Sequence, residues 1–228
     1  SYPKQFCEFY DGSFLDNTVR RLKTLGDVHI LTTESMGSLT HRAVKQEGLN
    51  PANVILEPMG KNTGPAVALL CHILELRGQA DEIVGVFPSD HLIADEAAFF
   101  RAVKLAEVCA RKGFVTTLGV KPHSPETGYG YIETSDETVE KSGELMALAV
   151  KGFREKPNLK TARDYVKSGR YFWNAGMFLF RASQMIKHFQ EFQPLMWSKI
   201  VQIDQDLNNA GYNYAMVDGI SLDYAIME

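Results

Sequence analysis

Ile83-Val84-Gly85-Val86-Phe87-Pro88-Ser89-Asp90-His91 is the stretch from which the fold can be read. A short apolar run of this kind suits a strand buried on both faces. Pro88 has no N–H with which to continue a ladder, so the chain leaves the sheet there and Asp90 emerges at its rim. A carboxylate in that place suits Mg²⁺, which takes oxygen ligands and keeps waters and substrate phosphates in its shell. The same residue also reads as a turn Asp capping the next loop. His91 is read as structural.

On either side of this strand, helices and strands alternate. Leu15, Thr18, Val19 and Leu22 recur at helical spacing and Gly26 stops them; Val28 to Thr32 follows as a short strand. Met36, Leu39, Ala43 and Val44 mark a helix ended by Gly48, and Val54-Ile55-Leu56 a strand running into Glu57-Pro58. A helix from about Thr63 carries Pro65 in its first turn, where a missing N–H costs little, and closes at Gly78. Asp95 is a suitable N-cap for a helix with Phe99, Ala102, Val103 and Ala106 inward, before Gly113 and a strand from Phe114 to Val120. Alternation of this kind predicts an α/β fold of Rossmann-like type, with a mixed, mainly parallel sheet flanked by helices. In such sheets ligands bind beyond the carboxyl ends of the strands.

The second half is less regular. Leu145 to Phe153 reads as one or two strands, Asn158 caps a helix ended by Gly169, Phe172 to Phe180 is an aromatic strand, and Ser183 is read as the cap of a helix through Phe192. No repeat or linker divides the chain, so residues 1–228 are read as one domain. The start at Ser1 without Met, and the stop just after an apolar segment, read as cut ends, and the domain is expected to be incomplete at both.

Of 228 residues, 45% are hydrophobic and 23% charged, enough for a core of normal size. The formal net charge of −4 argues against a nucleic-acid surface but not against a small anion, which needs only a few local cations. Cys7, Cys71 and Cys109 are odd in number and far apart, which fits a reducing, cytoplasmic setting rather than a disulfide framework. No apolar run approaches the length of a membrane span, about eighteen residues or more, and no signal peptide is read at the start.

Several further stretches carry candidate chemistry. Glu57-Pro58-Met59-Gly60-Lys61-Asn62-Thr63-Gly64 leads from a strand end to a helix N-terminus, where free N–H groups favour anions and polar ligand edges. It is not a P-loop, because Ile55 stands where the first glycine is needed. Gly128-Tyr129-Gly130 precedes a strand; glycine there permits close approach of a ligand, or simply a turn. Phe153-Arg154-Glu155-Lys156-Pro157 is a solvated charge cluster unless it lies in a cleft, where Glu155 would accept sugar hydroxyls and Lys156 would hold phosphate. Asn174 sits alone in Phe172-Trp173-Asn174-Ala175-Gly176-Met177, and its amide needs a partner, either backbone or a ligand hydroxyl. The His residues show no zinc spacing, and no Ser/His/Asp or Cys/His pairing suggests a covalent intermediate. No G-x-G-x-x-G follows the first strand, which argues against a dinucleotide-dependent dehydrogenase.

These stretches are ordered. Pro3-Lys4-Gln5-Phe6, Glu57-Pro58 with Asn62-Thr63, Phe87-Pro88-Ser89-Asp90-His91, Thr127-Gly128-Tyr129-Gly130-Tyr131-Ile132, Glu155-Lys156-Pro157, Trp173-Asn174-Ala175-Gly176-Met177-Phe178 and Ser221-Leu222-Asp223-Tyr224-Ala225 follow one another along nearly the whole chain. The series resembles the bacterial mannose-1-phosphate guanylyltransferases, of the sugar-phosphate nucleotidyltransferase family. The resemblance implies a nucleotide-diphospho-sugar transferase fold, GTP and mannose 1-phosphate as substrates, and Mg²⁺ as cofactor. By motif, Asp90 looks like the metal ligand, and Lys4 like the lysine that meets nucleotide phosphate. Glu57, Asn62 and Thr63 would line the guanine side, Gly130, Glu155 and Asn174 the sugar, and Lys156 its phosphate. Asp223 falls in a motif without an assigned role. Gly64 stands where the family usually has Ala. A glycine-rich stretch before Pro-Lys-Gln-Phe, and a later segment with a second metal-binding Asp, lie outside these residues; the resemblance implies that the full protein carries them. It also leaves room for a homodimer. A transferase for another sugar 1-phosphate or nucleotide, and a non-catalytic nucleotide-sugar-binding homologue, are the alternatives.

Overall fold

A computed structural model of the chain describes residues 3–8 and 11–227. Lys4–Phe6 forms a single 3-10 turn. Helix α1 (Phe14–Leu22) begins with a capping box, in which the Ser13 side chain takes the Asp16 N–H and Asp16 returns a bond to Ser13 N. Strand β1 (Ile30–Thr33) leads into helix α2 (Gly37–Gln46), and strand β2 (Val54–Glu57) into helix α3 (Thr63–Leu76). Strand β3 (Ile83–Val86) precedes helix α4 (Glu96–Arg111), which Asp95 caps through the Ala98 N–H at 2.8 Å. Strands β4 (Thr116–Val120), β5 (Tyr131–Ser142) and β6 (Leu145–Arg154) follow, then helix α5 (Leu159–Ser168), capped by Asn158 and ended by Gly169 at φ +69°. Strand β7 (Tyr171–Arg181) runs into helices α6 (Ala182–Phe192) and α7 (Pro194–Ile200), and the chain closes with α8 (Ala210–Ala215) and α9 (Leu222–Met227).

The α/β class with flanking helices is as expected, but the sheet is less parallel than the alternation predicts. Among the described strands the parallel ladder is β1–β2, in register Ile30–Val54 to Thr33–Glu57. Strands β3, β4 and β5 all pair antiparallel with β7, and β5 pairs antiparallel with β6. The reason is insertion: β7 returns from the second half of the chain and enters between β3 and β4. These two strands keep a common direction, as their helical crossover requires, without pairing with each other. A second correction concerns α6. Its N-cap is Arg181, which makes no side-chain capping bond, while Ser183 Oγ donates to Asp81 Oδ1 at 3.4 Å.

The layers follow from burial. Helix α3 is buried nearly all round, since α6, α7 and the sheet cover it together. Phe178 and Phe180 of β7 join that core, whereas Met177 and Leu179 face the other way and pack on Phe99, Val103 and Ala106 of α4. This period-two alternation makes β7 the wall shared by both cores. No helix among the described residues is long and apolar enough to cross a membrane.

Candidate active site

The carboxyl end of β3 lies beside the middle of β7. Val86 pairs with Phe178, and a Cβ on Gly176 would stand 3.7 Å from Pro88 Cγ. Gly176 itself holds φ +62°, a conformation glycine adopts without strain. Asn174, two residues earlier, is thereby brought to the rim from which Asp90 emerges. Asp90 lies in an exposed turn rather than on the strand.

Asn174 is fully engaged on its acceptor side. Its Oδ1 accepts from Gly176 N at 3.1 Å and from the Thr117 hydroxyl at 3.4 Å. Its Nδ2 donates to Asp223 Oδ1 at 2.5 Å, so the partner there is a carboxylate. Backbone, one of the two partners the sequence suggests, serves the oxygen; the carboxylate on the nitrogen is neither of them. No local pattern could have shown a partner 49 residues away on another element. Burial raises the Asp223 pKa above its ordinary value; the bond from Asn174 opposes this and the charge of Glu155 adds to it.

Gly130 and Glu155 complete this side. Asn174 N donates to Gly130 O at 2.9 Å, and a Cβ on Gly130 would stand 3.0 Å from Glu155 Oε2 and 2.5 Å from Phe153 Cζ. The glycine is therefore required here by crowding. Glu155 pairs with Lys156 at 2.7 Å, and this bond, then the carboxylate's charge, raises the lysine pKa. Lys156 is exposed and holds φ +38°, outside the regions usual for a side-chain-bearing residue. Gly130, Glu155, Lys156, Asn174 and Asp223 thus meet at one place.

The loop before α3 forms the other side. Asn62 holds φ +70° and ψ −178°, and its side chain accepts the Thr63 N–H at 2.9 Å as the helix N-cap. Asn62 and Lys156, two of the three described non-glycine residues with positive φ, lie among the residues the motifs single out, where strain of this kind tends to collect; the third, Leu207, lies in none of the motifs. Glu57 differs from the expectation of a ligand-facing residue. It is buried, 7% exposed, and accepts the hydroxyl of Tyr214 on α8; burial raises its pKa. Its observed place is that of an anchor between β2 and α8. Lys4 is exposed on the 3-10 turn whose Phe6 packs with Leu15 and Val19, and no bond among the described residues ties it to the others.

Asp90 is the acid carried on the turn that follows β3, and no group of three or more His, Cys, Asp or Glu gathers as a metal cage among the described residues. A single carboxylate at a strand end fits a Mg²⁺ that shares its shell with substrate phosphate and water, not a cation held by protein alone. Two cavities, of about 330 and 300 Å³, lie beside Phe192, Ile226 and Met227, and the second is also lined by Thr117, whose hydroxyl bonds Asn174. Neither lining includes an Asp or Glu.

This arrangement, a mixed sheet with polar residues converging beyond the carboxyl end of β3, is that of an α/β protein with its ligand site at strand ends. The chain belongs to the nucleotidyl transferase family, whose match covers residues 1–216. Its relatives include the xanthan biosynthesis protein XanB of Xanthomonas campestris pv. campestris, 38% identical over all of this chain and 49% of that protein. The mannose-1-phosphate guanylyltransferase of Escherichia coli is 36% identical, again over all of this chain and 50% of that protein. The chain therefore spans about half the length of these curated relatives. A structure described as mannose-6-phosphate isomerase from Helicobacter pylori superposes with TM-score 0.83 at 29% identity, covering 100% of this chain and 89% of that one. One described as mannose-1-phosphate geranyltransferase from Thermus thermophilus gives 0.81 at 29% identity, covering 98% and 64%.

Proposed function

We propose that the protein transfers GMP from GTP to mannose 1-phosphate, giving GDP-mannose and pyrophosphate. The observation that carries this reading is the convergence of Gly130, Glu155, Lys156 and Asn174 at the β3 rim, across from a helix N-terminus that favours anions and polar ligand edges. The names of the relatives support the choice of sugar and nucleotide.

In the proposed reaction an oxygen of the sugar phosphate attacks the α-phosphorus of GTP. That P–O bond forms as the bond to the pyrophosphate oxygen breaks, and pyrophosphate leaves with the electron pair. Such transfers rest on positioning and electrostatics more than on covalent chemistry. Glu155 and the free Nδ2 hydrogen of Asn174 hold the sugar. Lys156 turns from Glu155 to the incoming phosphate. Asn62 and Thr63 line the base side, and Lys4 meets the nucleotide phosphates. Asp90 is the metal-facing carboxylate; bound Mg²⁺ would offset the charge that develops on the phosphate oxygens.

The test is pyrophosphate release by the intact protein from GTP and mannose 1-phosphate, with a panel of other nucleotides and sugar 1-phosphates beside it. Preference for another pair would change the substrate assignment, and no turnover with any pair would favour a binding protein. Asp90→Asn is expected to lower turnover by about two to three orders of magnitude, a size typical for lost electrostatic stabilisation. Wild-type turnover of that variant at limiting Mg²⁺ would overturn the metal assignment.

A further inference from the structure

The two sides of the cleft are tied together by one short segment. Gly64, at the start of α3, donates its N–H to Ile220 O at 2.9 Å, and Leu222 N donates to the Thr63 hydroxyl oxygen at 2.9 Å. Lys61 Nζ reaches Ala215 O at 3.2 Å, and a Cβ on Gly219 would stand 3.1 Å from Lys61 O. Directly after Leu222 comes Asp223, whose carboxylate receives the Asn174 amide at 2.5 Å. Residues 219–223 are therefore a strap, bonded to the base-side loop at one end and to the sugar-side Asn174 at the other.

We propose that Asp223 is a positioning residue for the sugar phosphate, acting through Asn174, and that the strap couples its placement to the loop at residues 61–64. The proposal rests on the function proposed above. Its physical basis is a directional one. Asn174 Oδ1 accepts from Gly176 and, at a long 3.4 Å, from Thr117, which hold the oxygen end; the bond from Nδ2 to Asp223 is the contact that sets the amide plane, and it leaves the second Nδ2 hydrogen without a partner among the described residues. Without the carboxylate, that second hydrogen has no fixed direction. Gly64 supplies the coupling. A Cβ there would stand 2.7 Å from Ile220 O, a backbone atom, so an added methyl must shift either the first turn of α3 or the strap that carries Asp223.

The intact protein is assayed for KM and kcat with each substrate varied in turn. Asp223→Ala is expected to raise the sugar-phosphate KM by about tenfold, the scale of one hydrogen bond to a charged group, with the GTP KM within about twofold of wild type. Asp223→Asn, whose carbonyl still accepts from Asn174, is expected to recover most of that loss, which a requirement for charge would not allow. Gly64→Ala is expected to raise the sugar-phosphate KM several-fold, although the residue is buried on the opposite loop. Should Asp223→Ala fail to fold, Gly64→Ala and Asp223→Asn decide the question. A wild type without transferase activity sinks the proposed function and this inference with it. An active wild type with an unchanged sugar-phosphate KM in Asp223→Ala, or in Gly64→Ala where the first does not fold, sinks the inference alone.

Discussion

At the scale of single residues, two positions are set by crowding and by desolvation. A methyl on Gly130 would overlap the Phe153 ring and press on Glu155. Gly130→Ala is therefore expected to cost about 1–3 kcal/mol of stability, the usual range for overpacking, and to raise the sugar-phosphate KM through Glu155; melting curves and steady-state kinetics read the two effects separately, and a neutral outcome in both would refute the crowding. Glu57 illustrates desolvation. Its folded pKa is raised above the ordinary 4.5 because burial penalises the charged form more than the Tyr214 hydroxyl supports it. For such an acid the folded state binds the extra proton, so its contribution is most favourable below the unfolded pKa and declines as pH rises through the folded one. Glu57→Gln keeps an acceptor for Tyr214 and removes that charge. It is expected to melt higher than wild type at about pH 8 and to coincide with it near pH 4, below the unfolded pKa; a variant less stable than wild type at the higher pH would show that the ionised pair is net favourable.

At the scale of elements, caps made much of the chain legible. Asp95 and Asn158 announce α4 and α5, and the side-chain oxygens of both do accept the N3 N–H. The β5–β6 hairpin was not legible over its outer part, because Ser135 to Ser142 is mostly polar and exposed and lacks apolar alternation. Helices α7 to α9 are too short for a periodic stripe to show, and the place of β7 was hidden because strand order is decided by partners distant in sequence. The site followed the same division: Gly130, Glu155 and Asn174 could be named from motifs, whereas Asp223 acquires a role only from its contact with Asn174. The start of α3 yields a prediction at this scale. Asn62 caps the helix from a backbone conformation in which a non-glycine residue costs on the order of 1–3 kcal/mol, while replacing a capping Asn by Gly loses only a few tenths. Asn62→Gly should then raise Tm, by about 2–4 °C per kcal/mol gained in a chain of this size, and lower turnover if Asn62 faces the base. A fall in Tm would mean that the cap outweighs the strain.

At the scale of the whole molecule, the question is whether the layers unfold together. One main core is built on α3 with α6 to α9, the other on α4, and among the described residues neither α3 nor α4 packs on the other's core. What joins them is β7, whose successive residues Met177, Phe178, Leu179 and Phe180 alternate between the two. Strand β1 does the same on the other side, with Leu31 against the α3 core and Ile30 against the Phe6–Leu15–Val28 cluster. Opening one core strips one face of a shared strand, and that exposes the edge of the next, so local opening gains little entropy for the apolar area it uncovers. The cysteines report on this directly. Cys71 lies in the α3 core and Cys109 is buried on α4, while Cys7 is exposed, and all three are free thiols. Burial also raises the pKa of Cys71 and Cys109, which keeps little thiolate available in the folded state. Pulse labelling with a thiol reagent across a denaturant series should therefore modify Cys7 in native protein and leave the other two intact. Cys71 and Cys109 should then become reactive at one common midpoint, the sign of a single cooperative unit. Separate midpoints, with Cys109 reacting first, would show that α4 leaves the sheet by itself and that β7 does not bind the two layers into one transition.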